Sequence, residues 1–217
     1  MPTTNQFNRQ INRISGFSAG KASPARTALV ALAASLLAAS PALAHTGEGV
    51  TGGFLSGLMH PIFGWDHVVA MVAVGLWGAV LGSPAIWILP ITFPLVMALG
   101  AALGIAGVTV PFIEAGIALS GVVLGLLVLF LVRAPVAVAG VIVAFFAIFH
   151  GYAHGTELPD AANPFAYAVG FVIATGLLHA VGIAFGALNG QSWGKMAIRA
   201  GGAVIALVGG AFLAGLA

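Results

Sequence analysis

The residues able to do chemistry are concentrated in one stretch, His60-Pro61-Ile62-Phe63-Gly64-Trp65-Asp66-His67-Val68-Val69-Ala70-Met71, where two imidazoles, a carboxylate and a thioether stand in an otherwise lipid-like segment. Hydrocarbon neither solvates an ionisable group nor supplies it with a partner, so such residues within a membrane span mark a functional site by default. Imidazole and carboxylate suit a late transition metal, and a soft sulfur beside an imidazole suits one better than magnesium or calcium. The spacing leaves two readings. On one unbroken helix, His60 and His67 share a face about 10 Å apart along the axis; no single ion touches both, and they become successive stations on a path. If Pro61 and Gly64 break the helix, the two rings can meet. Met71 follows His67 by four residues and shares its face, as a ligand or as core filling. Asp66 needs a cation, a proton or a histidine; hydrogen-bonded to His67, it would orient that ring, as the outer partners of metal ligands do.

Three more histidines fall in later hydrophobic segments. His150 and His154, in Phe149-His150-Gly151-Tyr152-Ala153-His154-Gly155-Thr156-Glu157, are four apart and can face one ion if a helix runs through them, with Glu157 three residues further on. The plain alternative is a polar helix end wetted by lipid headgroups. His179 is either a satisfied core histidine or a station on the same path. Glu114 stands near the outer end of its segment, where it either snorkels to the surface or lines a vestibule.

The elements that must position these groups are membrane helices. With 60% hydrophobic and 6% charged residues and a mean hydropathy of +1.12, the 217-residue chain is no ordinary soluble domain. The expected fold is an all-α integral membrane protein. Four of the seven basic residues (Arg9, Arg13, Lys21 and Arg26) lie in a leader free of acidic residues, so the formal charge of +2 does not point to nucleic acid. The apolar run 27–39 and the Ala42-Leu43-Ala44 site predict a cleavable signal peptide over residues 1–44. Residues 45–217 then form the transport domain. The mature chain would begin at His45, whose amine and ring can both bind one ion. Six hydrophobic segments of spanning length follow, at residues 54–81, 85–106, 111–132, 135–153, 163–188 and 196–216, predicting a bundle of six transmembrane helices. Arg133, Lys195 and Arg199 then fall on the cytoplasmic side and the acidic loop 155–164 outside, as the positive-inside rule requires of a protein with a periplasmic amino terminus. Small residues spaced by four, Gly100 and Gly104, Gly116 and Ser120, Gly121 and Gly125, Gly182 and Gly186, predict close helix packing. Histidine pairs on the first and fourth segments also fit a three-plus-three inverted repeat with the site at its interface, although the sequence likeness of the halves is faint.

Absences narrow the function. Cysteine is missing, which removes disulfides, thiolate sites and cysteine nucleophiles. No phosphate-binding GxxxxGK[ST] loop occurs, so transport runs downhill, on an ion gradient or with a partner. HExxH is absent too, which weighs against an intramembrane zinc hydrolase. A membrane-bound protein that hands metal to a maturation partner without moving it across remains the competing reading.

The motifs His60-Pro61-x-x-Gly64-x-Asp66-His67-x-x-x-Met71, Glu114-Ala115-Gly116-Ile117-Ala118-x-Ser120, His150-Gly151-x-Ala153-His154-Gly155-x-Glu157 and Ala174-Thr175-x-x-x-His179 resemble the HupE/UreJ family of bacterial nickel permeases, across essentially the whole mature chain. The resemblance implies a secondary Ni²⁺ carrier or facilitator of the inner membrane, with Co²⁺ as the alternative cargo, associated with hydrogenase or urease maturation. It makes His60, Asp66 and His67 essential for transport, and it implies no resident cofactor. Oligomeric state is not readable.

Overall fold

The computed structural model describes residues 53–156 and 163–216, so the leader, His45 and Glu157 lie outside it. Among the described residues there are seven α-helices and one short 3₁₀ turn, with no strand. They are α1 (Gly53–Phe63), α2 (Trp65–Leu81), α3 (Ala85–Ile105), α4 (Ile113–Leu129), α5 (Val136–Thr156), α6 (Pro164–Gly186) and α7 (Gly194–Leu213). The 3₁₀ turn Ala187–Gly190 joins the last two. Helices α3, α5 and α7, and α6 together with its 3₁₀ extension, are long and apolar enough to cross a membrane. A fifth crossing results if α1 and α2 form one span, bent by 77°. Helix α4 is apolar but has 17 residues. This is a multi-pass membrane protein, and each predicted segment corresponds to a helix or, for the first, to a broken one.

The break decides between the two sequence readings. Pro61 has no amide hydrogen for the ladder, and Gly64 precedes α2 in an extended conformation (φ −80°, ψ 105°). That backbone is open to any residue, so the need for glycine is steric. A Cβ on Gly64 would lie 2.9 Å from Nδ1 of His67 and 3.0 Å from Oδ1 of Asp66.

Lipid gives helices no hydrophobic reason to associate, so backbones must approach closely to gain dispersion and Cα–H···O contacts. The glycines provide this in reciprocal pairs. Gly57 and Gly75 press on the carbonyls of Tyr167 and His179, while Gly170 and Gly182 press on those of Phe54 and Val72, fastening the broken span to α6. Gly151 and Gly155 meet the carbonyls of Met97 and Ala101, and Gly100 and Gly104 meet those of Ile148 and Tyr152, fastening α3 to α5. Gly125 with Gly202, and Gly121 with Gly209, join α4 to α7. The first segment thus pairs with the fifth, the second with the fourth and the third with the sixth. Exchanging the two halves of the chain, segment one for four, two for five and three for six, leaves this set of pairs unchanged.

Candidate metal centre

The break carries His60 at the end of α1 and His67 in the first turn of α2. Their ring centroids are 5.4 Å apart, about half the spacing of an unbroken helix. His154, in the last turn of α5, completes the group. One ligand nitrogen from each of His60, His67 and His154 lies within 4.8 Å of the others. His67 and His154 are buried and His60 is half-buried. Nε2 of His67 faces Nε2 of His154 at 2.6 Å, and the other nitrogen of His67, Nδ1, lies 2.8 Å from Oδ1 of Asp66. A carboxylate behind one ring nitrogen, with the other turned into the cluster, is the arrangement that fixes the tautomer and raises the basicity of a metal-binding imidazole. Asp66 also sits in the first turn of α2, where the amide end of the helix favours negative charge.

An aromatic wall closes one side. The ring of Phe171, on α6, lies 4.5 Å from that of His154, 6.2 Å from that of His60 and 6.3 Å from that of His67. Tyr167, one turn earlier, stacks on Phe171 and stands 6.3 Å from His60. Asn163 secures the start of α6, its side-chain oxygen accepting from the amides of Phe165 and Ala166. Sequence reasoning missed Tyr167 and Phe171, because aromatics four apart on a membrane helix look the same whether they face core or site.

The remaining predicted residues separate. His150 lies one turn from His154 but outside the three-histidine group, its ring 5.4 Å from that of His67. Its Nδ1 is 3.1 Å from the carbonyl of Phe146. His179 is buried on α6, against Phe93, whose ring is 5.7 Å from it and 5.4 Å from His150. Met71 is fully buried in α2, one turn past His67. Glu114 is exposed in the first turn of α4 and is not part of the cluster. An apolar cavity of about 450 Å³ beside it, lined by Phe112, Gly116, Phe145 and Phe149 among others, offers nothing that binds a cation. Glu157 and His45, the other predicted ligands, lie outside the described residues.

The family model described as HupE / UreJ protein matches residues 32–212. The chain belongs to the HupE/UreJ family. Protein HupE of Rhizobium leguminosarum bv. viciae is similar to it, with 46% identity over 178 residues that cover 82% of this chain and 93% of that protein. No solved structure gives a significant match. The three-histidine group of this HupE/UreJ protein therefore has no solved counterpart among the matches against which to set its geometry.

Proposed function

We propose that this HupE/UreJ protein is a secondary permease that takes up Ni²⁺, with Co²⁺ as the alternative cargo, across the bacterial inner membrane for hydrogenase or urease maturation. The observation that carries the reading is the meeting of His60, His67 and His154 at the break between α1 and α2, backed by Asp66. Three imidazoles leave coordination positions open for water or a further ligand, which suits an ion that must be released again. Soft and borderline ions favour such a nitrogen set, whereas Mg²⁺ and Ca²⁺ favour oxygen. The mature amino terminus faces the periplasm. The acidic loop between α5 and α6, with Glu157, and the amino-terminal His45 gather cations there, and Glu114 lies at the outer end of α4.

The test is metal entry into proteoliposomes holding an internal nickel-sensitive dye. Entry that is fast, selective for Ni²⁺ or Co²⁺ over Mg²⁺, lost in His67→Ala and lost at low Ni²⁺ in Asp66→Asn is expected. Folded protein that admits no more metal than empty vesicles would sink the permease and leave an accessory that hands metal to a partner.

A further inference from the structure

Away from the three-histidine group, the bundle buries polar atoms that have no partner in the protein. Nε2 of His150, Oγ1 of Thr175 and both ring nitrogens of His179 are buried and unsatisfied. Each such atom costs roughly 1–3 kcal/mol in a folded protein unless something fills its valence. Leucine would avoid that cost at any of these positions.

The chemistry of His150 is decided by its other nitrogen. The carbonyl of Phe146 only accepts, so Nδ1 carries the proton and donates it, and Nε2 of the neutral ring presents a lone pair. That is the form in which imidazole binds a metal. His150 lies one helical turn along α5 from His154, and its ring neighbours His67 on one side and Phe93 on the other. On α6, Phe171, Thr175 and His179 follow at intervals of four residues on one face. His179 is thus about 12 Å along the axis from the aromatic wall of the three-histidine group. The same depth follows from α2, where Gly75, eight residues past His67, touches the His179 carbonyl.

We propose that His179 and Thr175 form a second, inner station for the divalent metal ion, reached from the three-histidine group by way of the Nε2 lone pair of His150. This rests on the permease reading and supplies its inward half. The two stations differ in charge. The outer one has the Asp66 carboxylate; the inner one is built from neutral groups, and the only other acid among the described residues, Glu114, is exposed. An ion is held more weakly where no anion compensates it, so the outer station captures and the inner one releases. Conduction needs binding strong enough for entry and weak enough for exit, and the two stations divide those tasks.

Equilibrium dialysis of Ni²⁺ against the purified full chain, run beside proteoliposome uptake and thermal unfolding, tests the assignment. The intact protein should bind two ions per chain, one tightly and one weakly. His179→Leu should keep its melting temperature and the tight ion, and lose the weak ion and most of the uptake rate; His150→Leu should keep both ions and lose the rate. A single ion per chain in the intact protein, or a His179→Leu protein that retains both ions, overturns the inner station and leaves the permease standing. A His179→Leu protein that melts early and loses both ions overturns it as well, because His179 is then a packing residue. An intact chain that neither binds nor admits Ni²⁺ overturns the permease reading itself.

Discussion

Nε2 of His67 and Nε2 of His154 face one another at 2.6 Å, although 87 residues separate them in the chain. Two imidazole nitrogens each held about 2.1 Å from one ion stand about 3 Å or more apart. One ion reached by both nitrogens makes each ring useful only while the other is present. His67→Ala and His154→Ala should each abolish tight Ni²⁺ binding, and the double variant should lose nothing further. Additive losses, measured by dialysis across the double-mutant cycle, would show two independent sites.

Asp66 lies 2.8 Å from His67 and, on the proposed reading, acts on the metal through that ring. Removing the charge while keeping the shape should weaken binding by about 10–100-fold, the usual effect of losing such a partner. Asp66→Asn should therefore raise the Ni²⁺ concentration giving half-maximal uptake more than it lowers the rate at saturation. An unchanged concentration would assign the carboxylate to folding alone.

Gly64→Ala tests the steric argument directly. The backbone there is ordinary, so the new methyl group strains nothing by itself, but it would push the Asp66 and His67 side chains from their places. The variant should fold, with a melting temperature close to that of the intact protein, and lose most of its uptake. Full activity would mean that the carboxylate and ring need no fixed position.

Uptake should fall in acid. Imidazole binds metal only when neutral, and a proton competes for the same lone pair. The sign is therefore a rise in apparent affinity between about pH 5 and pH 7.5, with added Ni²⁺ restoring the rate at the lower pH. Proteoliposome uptake that is flat across this interval would argue against histidine ligation.

The glycine contacts predict where size is tolerated. In Gly151→Val the side chain would meet the Met97 backbone and force α3 from α5, whereas Gly176 has open space where its Cβ would be. Thermal unfolding in detergent should show a clear loss for Gly151→Val and none for Gly176→Ala. Equal melting temperatures would remove the glycine contacts from the account of packing.

The helices were legible because each must carry its own apolar length across lipid, and that is a local property of sequence. The weak point at Pro61 and Gly64 was legible too, but whether it bends enough to bring His60 to His67 depends on α6 packing along both pieces, which no local pattern encodes. The pairing of His154 with the first segment was only hinted at, by histidine pairs on the first and fourth segments, for the same reason. His150 and His154 share a face by spacing, yet the cluster takes one and leaves the other beside Phe93, because α5 crosses the break near its last turn. Phe171 gave no signal, since an aromatic in the core reads identically, and Thr175 stood out only through the motif it shares with His179, since a hydroxyl bonded within its own helix reads identically to it.

The three-histidine group draws its ligands from the first and fourth segments and its aromatic wall from the fifth. A chain is made from its amino terminus, so His60 and His67 enter the membrane long before His154, and Phe171 comes later still. During that interval two imidazoles and a carboxylate wait without the partners that the finished bundle gives them. Its three histidines and its aromatic wall are all present only once residue 171 of the 217 has been made. On the proposed reading, the complete metal site is therefore a property of the assembled bundle and not of any one segment.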